Sequence, residues 1–294
     1  MNPLVMYHGN CTDGFGAAFA AWKALGNEAE YVTMDYGSGI PVPDVVGRDV
    51  YILDFSFDYP TTFGIFCHAN TSVWLDHHRT AFEMWCDRPA SPWAGERKFY
   101  KNDGIYYVIL NNNKSGALLA WEYFHPGTAI PFLIRRIDDR DRWQFMYDDS
   151  AALHAALQSL KPWSFAQWDS ILNWPKGKLN AFLREGGAIL RAQRACVGEL
   201  VEQAQRCTIR AGVSSWLGLA VNATQLHSEV GHVLAEHFGT YGLVWRMEGH
   251  KANCSLRSVG AYDVSVIAKA FGGGGHLNAA GFQVDLSVLL GWMK

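Results

Sequence analysis

Net charge is almost missing from this chain: 25 lysines and arginines stand against 28 aspartates and glutamates, a balance of −3 over 294 residues. A protein that tracks long nucleic acid carries a basic face, so a long duplex is excluded as partner and only a local basic patch for a short anionic ligand is left. Paired cysteines are also missing. The six present (Cys11, Cys67, Cys86, Cys196, Cys207, Cys254) are scattered without a CxxC pair. That argues against a zinc cluster, and the chain length argues against a disulfide scaffold. Free thiols in a reducing compartment are the expectation. No hydrophobic run approaches the length of a membrane span, and "MNPLVMYHGNC" lacks the basic and apolar regions of a signal peptide. The reading is a cytoplasmic protein with no membrane partner. What is there is ordinary for a globular enzyme, 49% hydrophobic and 18% charged, with length enough for two modest domains.

The first half alternates strand-like and helix-like segments. "PLVMY", "AEYVTM", "DVYIL" and "TSVWL" read as strands. "TDGFGAAFAAWKALG" reads as a helix capped by Gly26, and "YPTTFGIFCHA" as one opened by Asp58 and Pro60. Such alternation predicts a parallel sheet of βαβ units, whose ligands bind beyond the carboxyl ends of the strands. Residues 83–105, rich in Pro, Trp and charge, read as an irregular surface excursion. "SGALLAWEYF" and "FLIRRIDDRDRW" are helical in character. From Leu179, apolar residues recur at helical spacing to Ala204. The expected organisation is therefore α/β: a parallel-sheet domain over 1–178, a connector helix over 179–206, and a smaller α/β domain over 207–294. In the last, "YGLVWRMEG" and "KANCSLRSV" form a hairpin around Gly249, and Asp263 caps a helix.

Candidate chemistry collects at the strand ends. "VMYH" stops at His8, "YILD" at Asp54 and "VWLD" at Asp76, which His77 and His78 follow. Carboxylate and imidazole side by side suit Mn²⁺, Fe²⁺, Co²⁺ or Zn²⁺. Asp13, at the start of the first helix, is a metal ligand or a plain helix cap. "IDDRDRW" offers Asp138, Asp139 and Asp141, which point different ways on a helix and also suit pairing with Arg136, Arg140 and Arg142. Late in the chain, "GGGGHLNAAGF" places Gly274, Gly275 and His276 where backbone N–H groups could approach an anion. "SLRS" puts Ser255 and Arg257 on one face of a strand, where the guanidinium could fork onto a phosphate.

Taken together and in this order, "HGNCTDG", "LDFS", "LDHH", "DDRDRW", "SLRS" and "GGGGHLNAAGF" resemble the DHH/DHHA1 phosphoesterase family over nearly the whole chain. The likeness is to its short-oligonucleotide nucleases more than to its pyrophosphatases. The resemblance implies a two-metal centre, usually Mn²⁺ with Mg²⁺ or Co²⁺ as substitutes, in a cleft between two domains. His8, Asp13, Asp54, His77 and Asp141 would hold it, with Asp54 as the bridge and Asp141 preferred for the Asp-x-Trp shape of "RDRW". Asp138 and Asp139 stay open for that place. His78 would face the scissile phosphate, and Asp76 would bind metal or orient His77. Arg257, Ser255, Gly274, Gly275 and His276 would hold substrate.

The implied function is a divalent-metal-dependent hydrolase cutting short oligonucleotides or linear dinucleotides to mononucleotides, an exonuclease of oligoribonuclease-like type. The alternatives are a phosphomonoesterase on 3′,5′-bisphosphorylated nucleotides and a non-catalytic nucleotide- or protein-binding relative. Relatives are monomers or homodimers. One departure bears on metal stoichiometry. Many relatives carry two aspartates one residue apart in the first motif, whereas here Asn10, Cys11 and Thr12 precede Asp13 and Phe15 follows.

Overall fold

The computed structural model describes residues 2–35, 40–85, 94–101 and 104–293. They divide into two compact units, one ending at Leu190 and the other beginning at Arg191.

The first unit is built on a six-stranded sheet. Its strands are β1 (Leu4–His8), β2 (Glu30–Met34), β3 (Asp49–Leu53), β4 (Thr71–Asp76), β5 (Ala94–Lys101) and β6 (Gly104–Asn111), in the order β2-β1-β3-β4-β6-β5. All are parallel except the edge strand β5, which runs antiparallel to β6. The continuous apolar runs of β1 and β3 follow from burial on both faces. Val5, Tyr7 and Leu53 face one apolar layer, and Leu4, Met6, Val50 and Ile52 the other. The first layer is completed by α1 (Thr12–Leu25), α4 (Gly116–Phe124), α5 (Phe132–Asp141), α6 (Ser150–Ser159) and α7 (Phe165–Leu172), and by the start of α8 (Lys176–Glu202). The second is covered by α2 (Tyr59–His68) and α3 (Arg79–Trp85).

Local chemistry accounts for the helix starts. Asp58 accepts from the Thr61 N–H ahead of Pro60 in α2, and Ser115 accepts from the Leu118 N–H in α4. The stretch 83–105 corrects the sequence expectation. It holds the end of α3, the edge strand β5 and the start of β6, and residues 86–93 and 102–103 of it lie outside the described residues. The charged composition of "GERKFYK" reads as loop in the sequence, yet its backbone pairs with β6 as an edge strand.

The second unit carries a mixed sheet of β7 (Gln205–Ala211), β8 (Ser214–Asn222), β9 (Tyr241–Glu248), β10 (Lys251–Ser258), β11 (Gly274–Gly275) and β12 (Ala279–Asp285), in the order β11-β12-β10-β9-β8-β7. Only β8 and β9 are parallel, joined by α9 (His227–Phe238). The β9–β10 hairpin turns at Gly249, whose φ of +60° suits glycine. Two short helices, α10 (Val264–Lys269) with Asp263 as cap and α11 (Leu286–Trp292), complete it. The division between units falls inside α8, and β7 begins at Gln205, slightly ahead of the expected boundary at 207. Among the described residues, no helix is long and apolar enough to cross a membrane.

Candidate metal centre

The carboxyl ends of three adjacent parallel strands form the site. His8 ends β1, Asp54 follows β3, and Asp76 ends β4, with β1 and β3 at the point where strand order reverses. Two glycines bring helix N-termini onto this rim. A Cβ at Gly14 would lie 2.1 Å from the His8 carbonyl oxygen, so only glycine lets α1 start against β1. A Cβ at Gly116 would lie 2.4 Å from Asp54 Cβ, so α4 starts against Asp54 in the same way. Asp54 itself has φ +55°, an uncommon backbone for a non-glycine residue, held by its N–H donating to the Leu75 carbonyl at 2.9 Å.

His77 Nε2 stands at the centre of the cluster, 3.1 Å from Asp54 Oδ1, 3.5 Å from Asp13 Oδ2 and 3.7 Å from Asp141 Oδ2. Asp13 is 2% exposed and Asp54 1%. Asp13 is aimed by the start of α4, whose Gly116 and Ala117 N–H groups donate to its two oxygens at 2.7 and 2.9 Å. It therefore caps α4 while lying in the start of α1. On the other side, His8 Nδ1 is 3.6 Å from Asp54 Oδ2. The three acids of α5 separate clearly. Asp138 accepts from the Ser115 N–H and pairs with Arg142. Asp139 accepts from the Met146 and Tyr147 N–H groups and from Ser150 Oγ. Asp141 alone of the three reaches His77.

Asp76, wholly buried, works differently from the expected orientation of His77. One oxygen accepts from the backbone N–H groups of His77 and His78 and sits 2.7 Å from His78 Nδ1, and the other accepts from Ser56 Oγ. Its side-chain partner among the histidines is thus His78, not His77. Held at Nδ1 by Asp76, the His78 ring is fixed in its orientation.

The electrostatics describe a site that demands cations. Burial opposes the charged form of His77, but Asp54, Asp141 and Asp13 outweigh it and push the ring up to about 10. Burial likewise opposes charge on His8, and Cys11 and Asp54 override it, to about 12. Asp13 is pushed well up by burial and then by the charges of Asp54 and Asp141. Burial also opposes ionisation of Asp54, but the His77 and His8 rings hold its carboxyl well below the usual range. Even so, Asp54 Oδ1 is buried without a hydrogen-bond partner, with His77 Nε2 3.1 Å away. A buried, ionised oxygen without a donor fits a metal ion. Asp13, Asp54 and His77 have ligand atoms within 4.8 Å of one another, as do His8, Cys11 and Asp54.

In the second unit, β10 alternates buried and half-buried residues, which puts Ser255 and Arg257 on one face. Arg257 Nη1 donates to Ser255 Oγ at 3.1 Å and to the Leu256 carbonyl at 2.8 Å, while Nη2 donates to Ser228 Oγ at 2.8 Å. His276 closes a tight turn after β11, its N–H donating to the Ala279 carbonyl at 2.7 Å. The glycine run has a structural cause as well. A Cβ at Gly273 would meet the Gly281 carbonyl oxygen at 2.1 Å, and Gly275 has φ +142°.

Three residues of these networks escaped the sequence reading: Ser56, Ser115 and Cys11. The first two have no sequence signal beyond a hydroxyl near an acid. Cys11 had a weak one, since it lies two residues before Asp13 in the first motif.

No known family model matches the chain. An uncharacterized protein of Acanthamoeba polyphaga mimivirus is 28% identical over 297 residues, covering 95% of this chain and 66% of that protein. The chain thus spans just under two thirds of that relative. Among solved structures, the pGpG-specific phosphodiesterase PggH from Vibrio cholerae is 14% identical, over 98% of this chain and 94% of its own, with a TM-score of 0.47. RecJ from Thermus thermophilus in complex with Mn²⁺ is 13% identical, over 99% of this chain and 51% of its own, with a TM-score of 0.45. An uncharacterized protein from Helicobacter pylori is 12% identical, over 97% and 93%, with a TM-score of 0.45.

Proposed function

We propose that this chain is a DHH-type phosphoesterase, a divalent-metal-dependent phosphodiesterase that releases mononucleotides from short oligonucleotides or linear dinucleotides. The observation that carries the reading is the cluster of buried Asp13, Asp54 and His77 with the more exposed His8 and Asp141, around a carboxylate oxygen without a hydrogen bond. Asp13, His77 and Asp141 would hold one divalent ion, Mn²⁺ being the ion the oxygen-rich set favours, and Asp54 would share it with a second near His8. When bound, such ions lower the pKa of water and neutralise charge on phosphoryl oxygens.

The chain's own groups do the rest. His78, oriented by Asp76, offers Nε2 to a phosphoryl or leaving oxygen as proton donor or electrostatic stabiliser. Asp76 fixes that ring's orientation and, through two backbone N–H groups, the chain that carries both histidines. Arg257, Ser255, Gly274, Gly275 and His276 are assigned to holding substrate phosphate, the arginine already presented by Ser228 and Ser255. The near-neutral charge suits a ligand of a few nucleotides and not a long duplex.

The test is hydrolysis of a labelled dinucleotide and a five-nucleotide RNA with Mn²⁺ or with EDTA, beside Asp54→Ala and His78→Ala variants. Mononucleotide release that needs metal and fails in both variants is expected. A folded, Mn²⁺-loaded protein that leaves both substrates intact overturns this substrate class and moves attention to bisphosphorylated nucleotides.

A further inference from the structure

The first motif carries a thiol two residues before Asp13, and the fold puts that thiol inside the cluster. Cys11 Sγ lies 3.5 Å from His8 Nδ1 and 3.7 Å from Asp54 Oδ2, and His8 Nδ1 lies 3.6 Å from the same Asp54 oxygen. Zinc-type bond lengths of about 2.3 Å to sulfur and about 2.0–2.2 Å to nitrogen and oxygen, at tetrahedral angles, separate ligand atoms by about 3.3–3.6 Å. The three observed edges therefore match one face of a tetrahedral site to within a few tenths of an ångström.

We propose that Cys11 is a metal ligand, and that its thiolate, His8 and Asp54 form a subsite selective for a borderline-soft ion such as Zn²⁺, Co²⁺ or Fe²⁺. This rests on the proposed metal-dependent hydrolase and refines it: the two ion positions differ in kind. The neighbouring subsite of His77, Asp13, Asp54 and Asp141 offers one imidazole and three carboxylates, a harder set suited to Mn²⁺. Asp54 belongs to both, with Oδ2 towards Cys11 and His8 and the hydrogen-bond-free Oδ1 towards His77.

Cys11 also receives the Gly14 N–H at 3.2 Å, as the N-cap of α1. A cap alone gives no reason for sulfur, since Ser, Asn and Asp cap helices well and cysteine is not among the preferred residues. The same N–H donor and the positive end of a 14-residue helix favour the thiolate that coordination requires.

Cobalt reports the ligand directly. Chelator-stripped wild-type protein is reloaded with Co²⁺, and with Zn²⁺ for metal analysis, beside Cys11→Ser and Cys11→Asp. The serine keeps the cap and removes the sulfur. Wild type is expected to develop a sulfur-to-cobalt charge-transfer band that both variants lack. Zn²⁺ affinity at one equivalent should fall more than about 100-fold in Cys11→Ser, beyond the 10–100-fold typical of residues that only support ligands. Cys11→Asp should regain a second equivalent as Mn²⁺. A cobalt-saturated wild type without the band, or Cys11→Ser binding Zn²⁺ as wild type does, overturns the proposal. Dinucleotide hydrolysis on the same preparations separates the two claims. The band without turnover upholds the thiolate ligand and defeats the substrate reading, and turnover without the band does the reverse.

Discussion

The two sheets use their strand ends in opposite ways. In the first unit a parallel sheet gathers its carboxyl ends on one rim, and the groups there are almost water-free and crowd one another: Asp13, Asp54, Asp76 and His77 are all less than a tenth exposed. In the second, a mostly antiparallel sheet offers its candidates from a strand face and a turn, half-buried, with Arg257 already bonded to two serine hydroxyls of its own unit. The difference is one of chemistry per residue. Burial makes each first-unit charge costly unless a cation meets it, so changes there should be large. Partial exposure in the second unit leaves water as a substitute partner, so changes there should be modest.

Asp54→Asn should break the contrast most. It removes the charge of the carboxylate both subsites share, and one of its two oxygens, while keeping shape, so metal content should fall and turnover should drop about 10³-fold or more, the loss of several kcal/mol of charge stabilisation. Metal analysis and kcat on one preparation check it. His78→Ala should cost about 10²–10³-fold in kcat with metal content unchanged, because its side chain acts beside the ions and not on them. Arg257→Ala should lose about 10–100-fold, mainly in KM, the worth of one charge-assisted hydrogen bond. Loss mainly in kcat would instead put this arginine at the reacting atoms. Gly116→Ala sharpens the same comparison. Its Cβ collides with Asp54, so about 1–3 kcal/mol of stability should go together with metal binding. Gly273→Ala, which collides with the Gly281 carbonyl, should cost stability while metal content holds.

The smallest effect concerns acid stability. His154, behind the site with Nδ1 3.1 Å from Thr12 Oγ1, is lowered to about 3 by burial first and then by Arg140 and Lys161. Its folded value lies below the unfolded one, so the unfolded chain takes up the proton first. Its share of stability is intact above pH 6.5 and falls by up to about 1.4 kcal/mol per pH unit below it, until pH nears 3. Urea midpoints from pH 7 to 5 should slope less in His154→Gln than in wild type.

Much of this was legible along the chain. Each apolar run ending in a metal-capable residue marked a strand and its carboxyl end, and parallel βαβ order alone places such ends on one rim. Hence His8, Asp54, Asp76 and His77 could be named together before any coordinates. The caps at Asp58 and Asp263 and the turn at Gly249 were local and equally readable. What misled was composition without context: the charged edge strand of residues 94–101 looked like loop. Choosing among Asp138, Asp139 and Asp141 was beyond pattern, because a helix spreads neighbours around its axis and only packing says which side faces the rim.

The sequence by itself determined which elements form and which residues sit at their ends, because periodicity, capping and turn chemistry act over a few neighbours. Tertiary structure decided the partners: that Asp13 is held by α4 across about a hundred residues, that Asp76 serves His78, and that Cys11 meets His8 and Asp54. Those pairings depend on how closely one backbone can approach another, and glycines 14 and 116 set that distance from places far apart in the chain.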